Sequence, residues 1–117
     1  RPCLAAADLD HLIRRLWDEP VGGRLALPVA DTLKREAGGR VAGTVDRPRL
    51  WRALTPQMFR YGPLRAALTA TPDVTDESAA LERAGHRPVL VPGRGDNLKV
   101  TTQDDLAQAT AILAARG

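Results

Sequence analysis

Apolar residues recur at helical spacing first: Leu9, Leu12, Ile13, Leu16 and Trp17 form one stripe, predicting an amphipathic helix over 5–18. Asp8 and Asp10 sit near its start, where carboxylates oppose the positive end of the helix dipole, and Pro20 with Gly22-Gly23 ends it. Residues 24–30 then alternate, with Leu25, Leu27 and Val29 on one face of a strand that ends or bulges at Pro28. Two β-compatible runs, Thr32-Leu33-Lys34-Arg35 and Val41-Ala42-Gly43-Thr44-Val45, flank Ala37-Gly38-Gly39-Arg40, predicting a hairpin over about 31–47. Leu50 to Leu54 is a short strand. Thr55-Pro56 suits the opening of a helix, interrupted at Gly62-Pro63 and resumed to about Ala70. Thr75-Asp76-Glu77-Ser78 caps another short helix ending at Gly85, and Pro88 to Val91 reads as a buried strand. In Gly93 to Thr102 a glycine-punctuated loop leads into alternating residues, Leu98 and Val100 against Asn97, Lys99 and Thr101. Thr102-Gln103-Asp104-Asp105 is a capping-box signature launching a last helix with Leu106, Ala109, Ile112 and Leu113 inward.

This order predicts an α/β fold with a mostly parallel sheet of three or four core strands. The hairpin carries few large apolar residues, and an isolated two-stranded ribbon is marginal in water. It must therefore lie on the body of this protein or on a partner, and an arm lying on a partner is the favoured expectation. Gly93-Arg94-Gly95 does not complete a G-x-G-x-x-G nucleotide loop, because position 98 is leucine. Lys99, beside a helix amino terminus, is placed to hold a phosphate.

Composition narrows the partner. The 117 residues are 44% hydrophobic and 26% charged, enough for one domain with a core built from Leu, Val, Ala and Ile, since aromatics are only 3%. The net charge of +3 is spread over 17 basic and 14 acidic residues. Neither a basic stripe nor aromatic platforms mark a nucleic-acid reader, so a small anion fits better than a polymer. The single cysteine, Cys3, excludes an intrachain disulfide and fits a reducing cytoplasm. No Cys/His cluster has metal-ligand spacing, and no run approaches the ~20 apolar residues of a membrane span. A chain opening on Arg1-Pro2-Cys3 reads as one that lacks its amino-terminal part.

Several blocks together resemble a known family. Arg1-Pro2-Cys3-Leu4, Pro28-Val29-Ala30-Asp31-Thr32-Leu33-Lys34, Thr44-Val45-Asp46-Arg47, Leu50 to Gln57, Thr75-Asp76-Glu77 and Gly93 to Thr101 occur in the order and spacing of 2-C-methyl-D-erythritol 4-phosphate cytidylyltransferases. The resemblance covers the carboxy-terminal half of that family's chain. It implies that residues 1–117 are one partial domain of a Rossmann-like nucleotidyltransferase, with the amino-terminal nucleotide-binding half absent. It implies a homodimer joined through the arm, a cytoplasmic location, and Mg2+ bound with CTP by residues outside these 117. The implied reaction is cytidylyl transfer from CTP to methylerythritol phosphate in isoprenoid precursor synthesis. This half would position the attacking substrate and be inactive alone. A cytidylyltransferase for ribitol phosphate, or a non-catalytic dimerising fragment, are the competing readings.

The resemblance also assigns residues. Lys99 matches the lysine holding the substrate phosphate; otherwise it is a solvated strand lysine. Arg47 matches an arginine on the arm that enters the neighbouring protomer's site, where a guanidinium fork suits phosphate oxygens; otherwise it is an exposed hairpin charge. Thr32, Thr55 and Thr75 match threonines lining the methylerythritol phosphate pocket, though Thr55 and Thr75 also suit helix caps. Arg1 matches an arginine near the substrate. Asp96 and Asn97 are expected to brace the loop presenting Lys99.

Overall fold

The computed structural model describes all of residues 1–117. In chain order it contains α1 (Ala6–Leu16), β1 (Gly22–Pro28), β2 (Leu33–Ala37), β3 (Arg40–Val45), β4 (Trp51–Phe59), α2 (Tyr61–Ala70), α3 (Glu77–Arg83), β5 (Val89–Pro92) and α4 (Gln103–Ala115). β1 is central in a three-stranded sheet ordered β4-β1-β5, while β2 and β3 form a separate ribbon. β1 pairs parallel to β5 and antiparallel to β4. The sheet is therefore mixed rather than mostly parallel. The arm is an excursion within a β1–β4 hairpin connection; because β4 runs back along β1, α2 and α3 only carry the chain from the end of β4 past the start of β1 to β5.

The core forms on the face of the sheet covered by α1. Leu12 and Leu16 pack on Leu25, Leu54 and Val91, with Leu4, Leu27, Met58 and Val89 around them. Only part of the predicted helical stripe is covered, since Leu9, Ile13 and Trp17 remain exposed. Ala67, Ala80 and Leu81 make a second cluster where α2 meets α3. Val91 is the buried member of β5, and Leu90 beside it is exposed. Of the four residues expected inward on α4, only Ala109 is fully buried, and Leu106 and Leu113 face out.

The largest departure from the pattern lies at Thr55-Pro56. Instead of opening a helix, this dipeptide, joined by a cis bond, lies inside β4, which continues to Phe59. Helix α2 then starts at Tyr61, so Gly62 and Pro63 sit in its first turn, where a missing N–H costs no hydrogen bond. The register explains how β4 takes the dipeptide. Arg24 pairs with Gln57 and Ala26 with Ala53, so Leu25 alone stands opposite Leu54, Thr55 and Pro56. β4 carries two extra residues and bulges there.

The ribbon of β2 and β3 turns through Gly38 (φ 57°) and Gly39 (φ 76°), with Ala37 opposite Arg40. Two successive left-handed residues are what a two-residue hairpin turn requires, and glycine supplies them without steric cost. The ribbon packs on itself, Lys34 Nζ donating to Thr44 Oγ1 across it at 2.7 Å, and most of its residues are exposed, with none buried. The Cα radius of gyration, 16.6 Å, exceeds the ~13–14 Å of a compact chain this long. The ribbon is a projecting arm.

Candidate functional site

The segment from Gly93 to Thr102 carries no strand. Lys99 therefore comes from an irregular loop, and Asn97 shows why. Its side chain points inward, only 1% exposed, and Nδ2 donates to the Thr55 carbonyl at 2.8 Å. Simple alternation had placed Asn97 on the same side as Lys99, which is exposed. Asn97 thus pins the Lys99 loop to the bulge of β4, while its Oδ1 is buried with no partner.

Arg1 is held in place rather than free. One guanidinium nitrogen donates to the Asn97 carbonyl at 2.7 Å and the other to the Ala53 carbonyl at 3.4 Å. Burial, then the charges of Arg24 and Arg52, lower its pKa from the ordinary arginine value. Arg1, Arg52 and Lys99 line one cleft of about 490 Å³ together with Asn97, Thr101, Asp105 and Gln108. Asp105 is the only carboxylate on its wall. Three cations against one carboxylate leave two positive charges, which suits the ~1.5–2 negative charges of a phosphomonoester at neutral pH.

The far side of the cleft is set by the cap of α4. Thr102 Oγ1 accepts from the Asp105 N–H at 3.1 Å, and Asp105 Oδ2 accepts from the Thr101 and Thr102 N–H groups, both at 3.0 Å. These bonds, led by the one from the Thr101 N–H, hold the Asp105 carboxyl below the usual aspartate value. Asp96 braces the loop as expected. It accepts from Arg94 at 2.7 Å and Arg116 at 2.9 Å, and the hydrogen bond from Arg94 leads the lowering of its pKa. Arg116 also donates to the Cys3 carbonyl at 2.8 Å, tying the end of α4 to the segment that follows Arg1.

The remaining predicted residues stand apart. Thr55 is exposed on the bulge and borders a second opening, with Gln57, Leu64 and Glu77. Thr75 is exposed and does not cap α3; Asp76 does, accepting from the Ala79 N–H at 3.3 Å. Thr32 and Arg47 lie at the base of the arm, both exposed, with Arg47 donating to the Ala30 carbonyl. Within one chain, then, the cleft gathers Lys99 and Arg1, joins Thr55 through Asn97, and does not include Thr32 or Arg47. Arg52 was missed by sequence reasoning. The available signal was its place on a strand two positions before Leu54, which shares its face.

No group of three or more His, Cys, Asp or Glu side chains is arranged to hold a metal ion. No helix is long and apolar enough to cross a membrane.

Comparison with known proteins adds a family. The model of 2-C-methyl-D-erythritol 4-phosphate cytidylyltransferases matches residues 1–115. A curated relative of that name from Acidithiobacillus ferrooxidans is 57% identical over 120 aligned residues, covering 99% of this chain and 51% of the relative. One from Pseudomonas entomophila is 59% identical over 111, covering 91% of this chain and 47% of the relative. The chain thus spans about half the length of the curated relatives it matches. A crystal structure of a 4-diphosphocytidyl-2C-methyl-D-erythritol synthase superposes with a TM-score of 0.87 at 45% identity, covering 95% of this chain and 51% of that one. The Francisella tularensis cytidylyltransferase superposes with a TM-score of 0.84 at 33% identity, over 96% and 55% of the two chains.

Proposed function

We propose that this chain, which belongs to the 2-C-methyl-D-erythritol 4-phosphate cytidylyltransferase family, positions methylerythritol phosphate for attack on CTP. In the reaction a phosphate oxygen of the substrate bonds to the α-phosphorus of CTP. The bond from that phosphorus to the bridging oxygen breaks, and pyrophosphate leaves with the electron pair. The products are CDP-methylerythritol and pyrophosphate, on the route to isoprenoid precursors. Such a transfer asks the protein chiefly to align two anions and offset their repulsion. The observation that carries the reading is the cleft in which Arg1, Arg52 and Lys99 converge.

Each residue then has a role. Lys99 holds the substrate phosphate as a compact charge, and Arg1, fixed by the Asn97 and Ala53 carbonyls, presents a second cation in a set direction. Thr55 and Thr75 offer hydroxyls to the polyol. Thr32 and Arg47 act on the neighbouring protomer's substrate in a homodimer joined through the arm. The exposure of the arm and its lack of packing on its own body support that assembly. In this reading CTP and its magnesium ion are held by residues outside these 117. The reading implies a cytoplasmic enzyme that engages neither nucleic acid nor membrane.

Calorimetric titration with methylerythritol 4-phosphate tests this reading, with ribitol 5-phosphate as the comparison. Saturable binding that favours methylerythritol 4-phosphate and weakens with salt supports it. No binding, or a preference for ribitol 5-phosphate, refutes it.

A further inference from the structure

Arg24 is the one charged residue in the buried run of β1, and its side chain is only 9% exposed. Its neighbour Leu25 faces α1 and the core, so Arg24 points to the opposite side of the sheet. There its guanidinium spans two elements. Nε and one terminal nitrogen donate to the Leu54 carbonyl at 3.3 and 2.9 Å. The other terminal nitrogen donates to both oxygens of Asp76, at 2.8 and 3.1 Å. Gln57, paired with Arg24 across the ladder, donates to the same Asp76 at 3.1 Å and accepts from the Ser78 N–H at 3.2 Å.

The two anchors, the Leu54 carbonyl and the Asp76 carboxylate, belong to the residues next to two threonines. Leu54 precedes Thr55 in the β4 bulge, and Asp76 follows Thr75 at the start of α3. On the other side of the bulge, Asn97 holds the Thr55 carbonyl and carries the loop of Lys99. Lys99, Thr55 and Thr75 are thus linked in one line of side-chain bonds, with Arg24 as the joint between the last two. Stability alone does not explain an arginine here, because a well-packed apolar residue commonly does as well as a buried ion pair.

Building on the function proposed above, we infer that Arg24 is a positioning residue that sets Thr55 against Thr75 and so determines recognition of the polyol part of the substrate. It does not touch the phosphate. Its fork spans two acceptors at a fixed angle, a geometry that a lysine ammonium lacks.

The test compares two ligands on the same chain: methylerythritol 4-phosphate, which uses the threonines and the cations, and inorganic phosphate, which uses only the cations. Arg24→Lys keeps the charge and loses the fork. It should weaken methylerythritol 4-phosphate by about tenfold or more, while inorganic phosphate stays within about twofold. Asp76→Asn keeps an oxygen for the α3 cap but loses the ion pair, and should give the same split if Arg24→Lys does not fold. Circular dichroism gives the folded fraction to which each affinity is referred. Equal loss of both ligands, or loss of neither, overturns the inference alone. A parent chain that binds inorganic phosphate but not methylerythritol 4-phosphate overturns the functional reading, and this inference with it.

Discussion

Lys99→Ala is the substitution that most directly separates function from folding. Lys99 is exposed, and the ion pairs of the chain are Arg24–Asp76, Arg83–Asp73, Arg94–Asp8, Arg94–Asp96 and Arg116–Asp96, none of which includes it. The side chain also accepts no share of the core, so its removal should change the unfolding free energy by no more than ~0.5 kcal/mol. The ligand loses far more. A unit charge about 4 Å from a phosphate is worth between ~1 kcal/mol in water and ~4 kcal/mol at the effective dielectric of a protein surface. A hydrogen bond to a charged group contributes ~1.5–3 kcal/mol net, which corresponds to about 10- to 150-fold in affinity. Because Arg1 and Arg52 remain, the lower half of that range is expected. Titration calorimetry with methylerythritol 4-phosphate, beside urea unfolding of the same variant, measures both quantities. A loss of affinity matched by an equal loss of stability would refute the reasoning, as would unchanged affinity.

Asn97→Ala should destabilise the chain by ~1–2 kcal/mol in urea unfolding, since it strips a donor from the Thr55 carbonyl but also removes a buried oxygen without a partner; a neutral result would mean the bulge stands without it. Asp105→Asn should be less stable than the parent at neutral pH. The parent's carboxyl is depressed in the fold, so its contribution is full above the ordinary value of 3.8 and is lost as pH falls through the lower folded value. Melting curves between neutral and strongly acid pH should show the gap closing only in that acid window. Arg47→Ala and Lys99→Ala should each bind methylerythritol 4-phosphate weakly as pure dimers. Mixing them should restore one normal site per mixed dimer, detectable as a tight component in the titration, because one site then combines Lys99 of one protomer with Arg47 of its partner; uniformly weak binding would count against delivery across the interface.

Periodicity located most elements because local patterns decided them. The stripe of α1, the Gly38-Gly39 turn and the Thr102–Asp105 cap each fold as their own residues dictate. Thr55-Pro56 misled because Thr-Pro has the chemistry of a helix start, and tertiary contacts from Arg24 and Asn97 overrode it. The loop of Lys99 looked like a strand for a related reason: alternation cannot reveal that an asparagine turns inward to meet a distant carbonyl. The resemblance assigned Lys99 and Arg1, which the fold brings to one cleft, while Arg52 needed the strand's facing to be known. Thr32 and Arg47 lie at the exposed base of the arm, outside the cleft, so the delivery proposed for Arg47 depends on an assembly that the fold of one chain does not encode.

The two additional residues in β4 have a consequence for how this sheet can evolve. An insertion of one taken up without a bulge would have slipped the register and flipped every later side chain to the opposite face, sending Gln57 toward α1 and away from Asp76. Two preserve the phase. Removing Thr55 and Pro56 would bring both halves of the register into one continuous ladder, with more regular pairing and no exposed hydroxyl at its centre. The strand therefore exchanges ladder regularity for a displayed threonine. Selection for thermal robustness alone would be expected to erode that feature first, yielding a sturdier chain without the hydroxyl that the proposed function assigns to the polyol.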